Sequence, residues 1–125
     1  MTNREIIIKN YIKAYNEFNI DKMVTDFAEN ITFENIQNGE INMSLNGLTA
    51  FKQQAEQAKA YFSERTQTIT LFKHIDNRTE IEINYKAILA IDFPNGFKKG
   101  QKLNLSGKSI FEFDSDKIIK LTDIS

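Results

Sequence analysis

From Ile81 to Phe93 every second residue is apolar: Ile81, Ile83, Tyr85, Ala87, Leu89, Ile91 and Phe93. Side chains alternate between the two faces of a strand, so this run describes one long extended segment with a hydrophobic side and a polar side. Such a side must be covered by another layer. Upstream, Ile69, Leu71 and Ile75 keep the same period, and Asp76-Asn77-Arg78 supplies a turn, which predicts a long hairpin beginning near Thr66. Downstream, Pro94-Asn95-Gly96 and Gly100 mark a wide loop. It is followed by Leu103–Phe113, a turn at Asp114-Ser115-Asp116 and a last strand from Ile118 to Ile124. Strands of this length curl unless they twist strongly, and a curled apolar sheet makes a cone that helices can close.

The first half supplies the helices. Thr2 and Glu5 have the spacing of a capping box, and Ile8, Tyr11, Ile12, Tyr15 and Phe18 recur at helical spacing to about Asn19. Asp21 can cap a second, short helix with Met23, Val24, Phe27 and Ala28 on its apolar face, ending at Asn30. Ile31 and Phe33 then alternate with polar residues up to a turn at Asn38-Gly39, and Glu40 to Leu45 pairs back. Leu48, Phe51, Ala55, Ala58 and Phe62 mark a third helix. The expected architecture is one α+β domain over residues 1–125: a cone-shaped α+β barrel, with three N-terminal helices packed on a strongly curved, mostly antiparallel sheet.

Composition narrows the chemistry. Sixteen basic against seventeen acidic residues leave a formal charge of -1, with no surplus to hold a phosphate backbone, so no nucleic-acid partner is expected. There is no cysteine and His74 is the one histidine, which argues against thiol chemistry and a multi-histidine metal site; neither metal nor cofactor is expected. The three consecutive isoleucines at 6–8 lie between Glu5 and Lys9, too short a run for a signal-peptide core or a membrane span. A cytoplasmic protein without membrane contact is the expectation.

The stretches YIKAYNEFNIDKMVTDFAENITFENIQNG and NLSGKSIFEFDSDKIIKLTDIS, in this order of elements, resemble the nuclear transport factor 2-like superfamily, in particular its bacterial SnoaL-like members. The resemblance covers nearly the whole chain, and its most specific pieces are fold signatures. It implies roles residue by residue. Tyr11 matches the first-helix tyrosine that helps form the oxyanion hole of ketosteroid isomerases. Asn35 stands where their general-base aspartate would be, and an amide cannot take that proton at neutral pH. Ser109 corresponds to their second oxyanion donor, a weaker donor than a buried acid. Lys117, Ile118 and Asp123 reproduce a final-strand spacing of the limonene epoxide hydrolase type, whose inner-strand arginine and second aspartate have no counterpart around residues 85–88. For SnoaL-type cyclases, which use a pocket aspartate as acid and base, the matching group is Asp123.

The resemblance therefore implies a pocket protein for a small hydrophobic ligand, an isomerase, cyclase or dehydratase acting on a lipophilic carbonyl compound, with Tyr11 and Asp123 as catalytic residues. Tyr15, Phe33, Asn35, Phe62, Tyr85, Ser109 and Phe111 are the expected ligand contacts. The alternative is a non-catalytic ligand-binding or dimeric scaffold module. A homodimer through the outer sheet face, carrying Glu82, Asn84, Lys86, Ile88, Asn104, Ser106, Lys108, Ile110 and Glu112, is implied too.

Strand parity refines this. If odd-numbered residues of the last strands face the helices, Leu103, Leu105, Ser109, Phe111, Phe113, Ile119 and Leu121 line the interior and Asp123 lies at its mouth. An aspartate beside an apolar wall loses hydration, so its pKa should rise. By the same rule His74 falls on the outer face. Arg65, at the start of the first long strand, is either a surface arginine or a bidentate ligand for a carboxylate.

Overall fold

The computed structural model describes residues 3–125. In chain order they form α1 (Asn3–Asn16), α2 (Ile20–Met23), β1 (Phe27–Gln37), β2 (Glu40–Asn46), α3 (Leu48–Lys59), β3 (Phe62–Ile75), β4 (Arg78–Leu89), β5 (Lys102–Asp114) and β6 (Lys117–Ile124). The strands make one curved sheet in the order β2-β1-β6-β5-β4-β3, antiparallel at every pair except β1 with β6. The expected barrel is in fact an unclosed sheet, with β2 and β3 as its edges. Two helices precede the first strand. The third is inserted between β2 and β3, which corrects the expectation of three N-terminal helices.

Local chemistry explains the element ends. Asn38 and Gly39 both have positive φ, 54° and 79°, while Gln37 pairs with Glu40, the geometry of a two-residue hairpin turn. The cap proposed at Thr2 lies outside the described residues. Helix α1 stops at Asn16, where Phe18 adopts φ 58° and the Asn19 N–H donates back to Ala14 O at 2.9 Å. A bulky residue in that left-handed region costs about 1–2 kcal/mol, so something must hold the Phe18 ring in place.

The second helix is a single turn. It is capped by Asn19, whose side-chain oxygen accepts from the Lys22 N–H at 3.1 Å, and not by Asp21. Phe27 already belongs to β1. Phe27 and Ile31 are buried four residues apart, a spacing that suits a helical stripe; here the β1–β6 ladder is irregular between Phe27 and Thr32, which brings both inward from a strand. Phe62 likewise opens β3, opposite Leu89, and does not close α3.

The core lies between the helices and the concave side of the sheet. Ile8, Tyr11 and Ile12 of α1, with Met23 and Phe51, meet Ile81, Phe111, Phe113, Ile118 and Leu121. Fully burying each such side chain is worth about 1.5–3 kcal/mol. Three irregularities shift the simple parity. The β3–β4 register slips between Ile69 and Leu71, so Ile69 and Phe72 both pack on the core while Leu71 is exposed. His74 therefore lies on the helix side, against the predicted outer face, with its ring nitrogens 2.8 Å from Thr79 Oγ1 and 2.8 Å from Glu5 Oε2. A second slip, between Glu112 and Phe113, puts Ile118 in the interior place predicted for Ile119. Finally, β6 ends opposite Lys108, so β5 has a neighbour on one side only beyond that point, and Leu105 is half exposed.

On the convex side the register aligns Glu80 with Ile110, Glu82 with Lys108, Asn84 with Ser106 and Lys86 with Asn104. Among the described residues no helix is long and apolar enough to cross a membrane.

Candidate functional site

A cavity of about 450 Å³ opens between α1, α3, the β2-β1-β6 half of the sheet and the start of β3. Of the expected site residues, Tyr11, Tyr15, Phe33, Asn35, Phe62 and Asp123 line it. Tyr85, Ser109 and Phe111 are not among the lining residues. Ser109 and Tyr85 stand one contact behind it, bonded to Asp123 and Tyr15 respectively, and Phe111 is a fully buried core residue edge-on to Tyr11.

The pairing register builds the polar wall. Asn35 on β1 is the partner of Asp123 on β6, and Asp123 is in turn the partner of Ser109 on β5, so the three stand abreast across three strands. Ser109 Oγ donates to Asp123 Oδ1 at 2.7 Å, and Asn35 Nδ2 donates to Asn42 Oδ1 at 2.7 Å. The strand position that the resemblance reserves for a base thus holds an amide, and the carboxylate occupies the adjacent strand.

Asp123 is partly buried, and the cavity it lines is its outlet. Loss of hydration pushes its carboxyl up from 3.8 to about 6, while the Ser109 hydrogen bond, which favours the ionised form, holds it back. Tyr11 is held well above the usual phenol range, first by burial and then by the negative charge of Asp123. It therefore remains a neutral hydrogen-bond donor. Its ring is fixed by stacking on Phe27 at 5.5 Å and by the Phe111 edge at 5.6 Å, and among the described residues its hydroxyl makes no hydrogen bond. Tyr15 shares a hydrogen bond with the Tyr85 hydroxyl at 3.0 Å, and burial raises both phenols.

The remaining walls were not anticipated. Met43 and Leu45 of β2, Phe51 and Ala55 of α3, and Met23 supply apolar surface, and Gln54 and Asn42 add amides. Arg65, treated from the sequence as surface or ligand-binding, is only 4% exposed and lines the cavity as well. Counting back in twos from Ile69 assigns residue 65 to the inner face; a cation at an inward position was the signal available. Among the described residues no three His, Asp or Glu side chains stand together as a metal-binding group. The site can thus present a fixed phenol donor, a carboxyl that titrates near neutrality and an aromatic-lined space of ligand size.

No family model and no curated protein matches the sequence. Solved structures match its fold closely. A candidate polyketide cyclase from Xanthomonas campestris pv. campestris superposes with a TM-score of 0.83 at 18% identity, over 99% of this chain and 93% of that one. A candidate SnoaL-like polyketide cyclase from Jannaschia sp. CCS1 gives 0.80 at 8% identity, over 97% and 83%. A protein with a ketosteroid isomerase-like fold from Catenulispora acidiphila DSM 44928, crystallised with trimethylamine, gives 0.76 at 15%, over 94% and 82%. The chain shares its fold with these candidate polyketide cyclases and with the ketosteroid isomerase-like protein.

Proposed function

We infer that the chain binds a small, largely apolar molecule in this cavity and moves a proton on it, as an isomerase, cyclase or dehydratase of a lipophilic carbonyl compound. The observation that carries this reading is the opening of Tyr11 and Asp123 into one apolar cavity. In the ionised form Asp123 takes a proton from the carbon next to the carbonyl, and the electron pair moves onto the carbonyl oxygen. Tyr11 donates a hydrogen bond to that oxygen as its charge grows, and Asp123 returns the proton to carbon or to a leaving oxygen. A carboxyl with a pKa of about 6 is well matched to both halves of this transfer near neutral pH. The likeness to two candidate polyketide cyclases is of fold and supports the reaction class only.

The experiment is deuterium incorporation from D2O into a panel of cyclic ketones and 1,3-diketones, followed by mass spectrometry. Wild-type protein should accelerate exchange, and Asp123→Asn should abolish that while leaving the fold intact. A second reading, binding without chemistry, is favoured by the amide at Asn35. It predicts saturable thermal stabilisation by the same compounds with no exchange above background.

A further inference from the structure

Among the described residues Arg65 is a cation without a counter-ion. It is 4% exposed, and among the described residues no Asp or Glu oxygen forms an ion pair with it. Its Nε donates to Tyr15 O at 2.9 Å. The guanidinium carbon lies over two rings, 3.7 Å from the Tyr15 centroid and 4.4 Å from that of Phe18. Phe18 is the residue held at φ 58°, so the backbone is strained where it presents the ring that grips this cation. One terminal nitrogen, Nη2, is buried and makes no hydrogen bond among the described residues.

Buried polar atoms are nearly always satisfied, and buried charges are nearly always paired. Two aromatic faces attract a guanidinium, but they leave its in-plane donors free. Arg65 is one of the residues that line the cavity, together with Phe33, Phe51 and Leu45. A planar fork of N–H groups fits a carboxylate better than any neutral oxygen, because both oxygens can be bonded at once and the charge is cancelled.

We propose that Arg65 is the anchor for an acidic group of the ligand, which makes the natural ligand an amphipathic carboxylate with an apolar body. This rests on the reading of the cavity as a small-molecule site. The stacked rings hold the guanidinium rigid, so the acid end is fixed and the body is directed along the aromatic wall toward Tyr11 and Asp123.

The test uses matched pairs: 2-naphthoate and 4-phenylbutyrate against their methyl esters, titrated calorimetrically into the full chain. The acids should bind about tenfold to a hundredfold more tightly than the esters, the range for a charge-assisted hydrogen bond. Arg65→Met should erase that preference, and Arg65→Lys should retain part of it. A second measurement needs no variant. In 15N-edited spectra the Arg65 side-chain N–H resonance should shift saturably with the acids and stay still with the esters. Equal binding of acid and ester, or a preference that survives in Arg65→Met, overturns the anchor while leaving the cavity as a binding site. Absence of binding by all four compounds, with no shift of the Arg65 resonance, overturns the anchor together with the small-molecule reading.

Discussion

The Ser109 hydroxyl donates to Asp123 Oδ1 at 2.7 Å across the β5–β6 pair, and this one bond opposes the burial that drives the carboxyl upward. The two residues come from strands joined by the hairpin at residues 114–117, and the register slip between Glu112 and Phe113 brings them opposite each other. A positioning bond of this kind predicts a readable change. In Ser109→Ala, Asp123 loses the interaction that favours its charged form, so its pKa should move above about 6. Carboxyl 13C titration by NMR measures it, and the acidic limb of a pH–rate profile, where the base is protonated, should move to higher pH with it.

Asp123 also links pH to stability. Its folded-state pKa is raised above 3.8, so the proton binds the folded chain more tightly than the unfolded one. The stabilising contribution is complete below about pH 4 and is lost as pH rises through about 6. The rise corresponds to roughly 3 kcal/mol. Asp123→Asn should therefore be several degrees more stable than wild type at pH 7.5, with the gap closing toward pH 4, as scanning calorimetry at both pH values would show. A gap independent of pH would contradict the buried-acid account.

Tyr11→Phe removes a hydroxyl that bonds to nothing among the described residues, while keeping the ring between Phe27 and Phe111. Stability should change by less than about 1 kcal/mol in urea unfolding. If the proposed proton transfer occurs, kcat should fall by about 10²–10³-fold, the cost of losing one oxyanion donor.

Phe111 lies behind the cavity wall with 0% exposure. Phe111→Ala should cost about 3–5 kcal/mol of folding stability, in the range for truncating a buried aromatic. A Leu substitution that restores the fold should also restore ligand affinity, which separates a packing residue from a contact residue.

Pairing of two copies through the convex sheet face predicts a dimer mass in multi-angle light scattering. Ile110→Lys, on the same face as Glu82 and Lys86, should then yield the monomer without unfolding it. A monomeric wild type would dismiss that interface.

Much of the sheet was legible because its signal is local. Ile81 to Leu89 alternate over a single strand, and the Asn38-Gly39 turn needs only the tolerance of its two residues for positive φ. Phe27 and Phe62 were misassigned to helices because apolar residues four apart satisfy a helix stripe, and only the pairing partners Ile118 and Leu89 decide for a strand. His74 and Ile119 were turned to the wrong faces by bulges, which leave no mark in a period-two pattern until the opposite strand is in place.

The order of residues by itself determined which segments are extended, where hairpins close and which side chains must leave water, since these follow from backbone preference and short-range periodicity. The tertiary structure decided the rest. Asn35, Asp123 and Ser109 stand abreast only after three strands distant in sequence have paired. Arg65 becomes a buried cation, without an ion pair among the described residues, only once Tyr15 and Phe18 pack against it. Both depend on long-range register and on which surfaces exclude solvent, and a linear pattern encodes these only through the energy of the assembled whole.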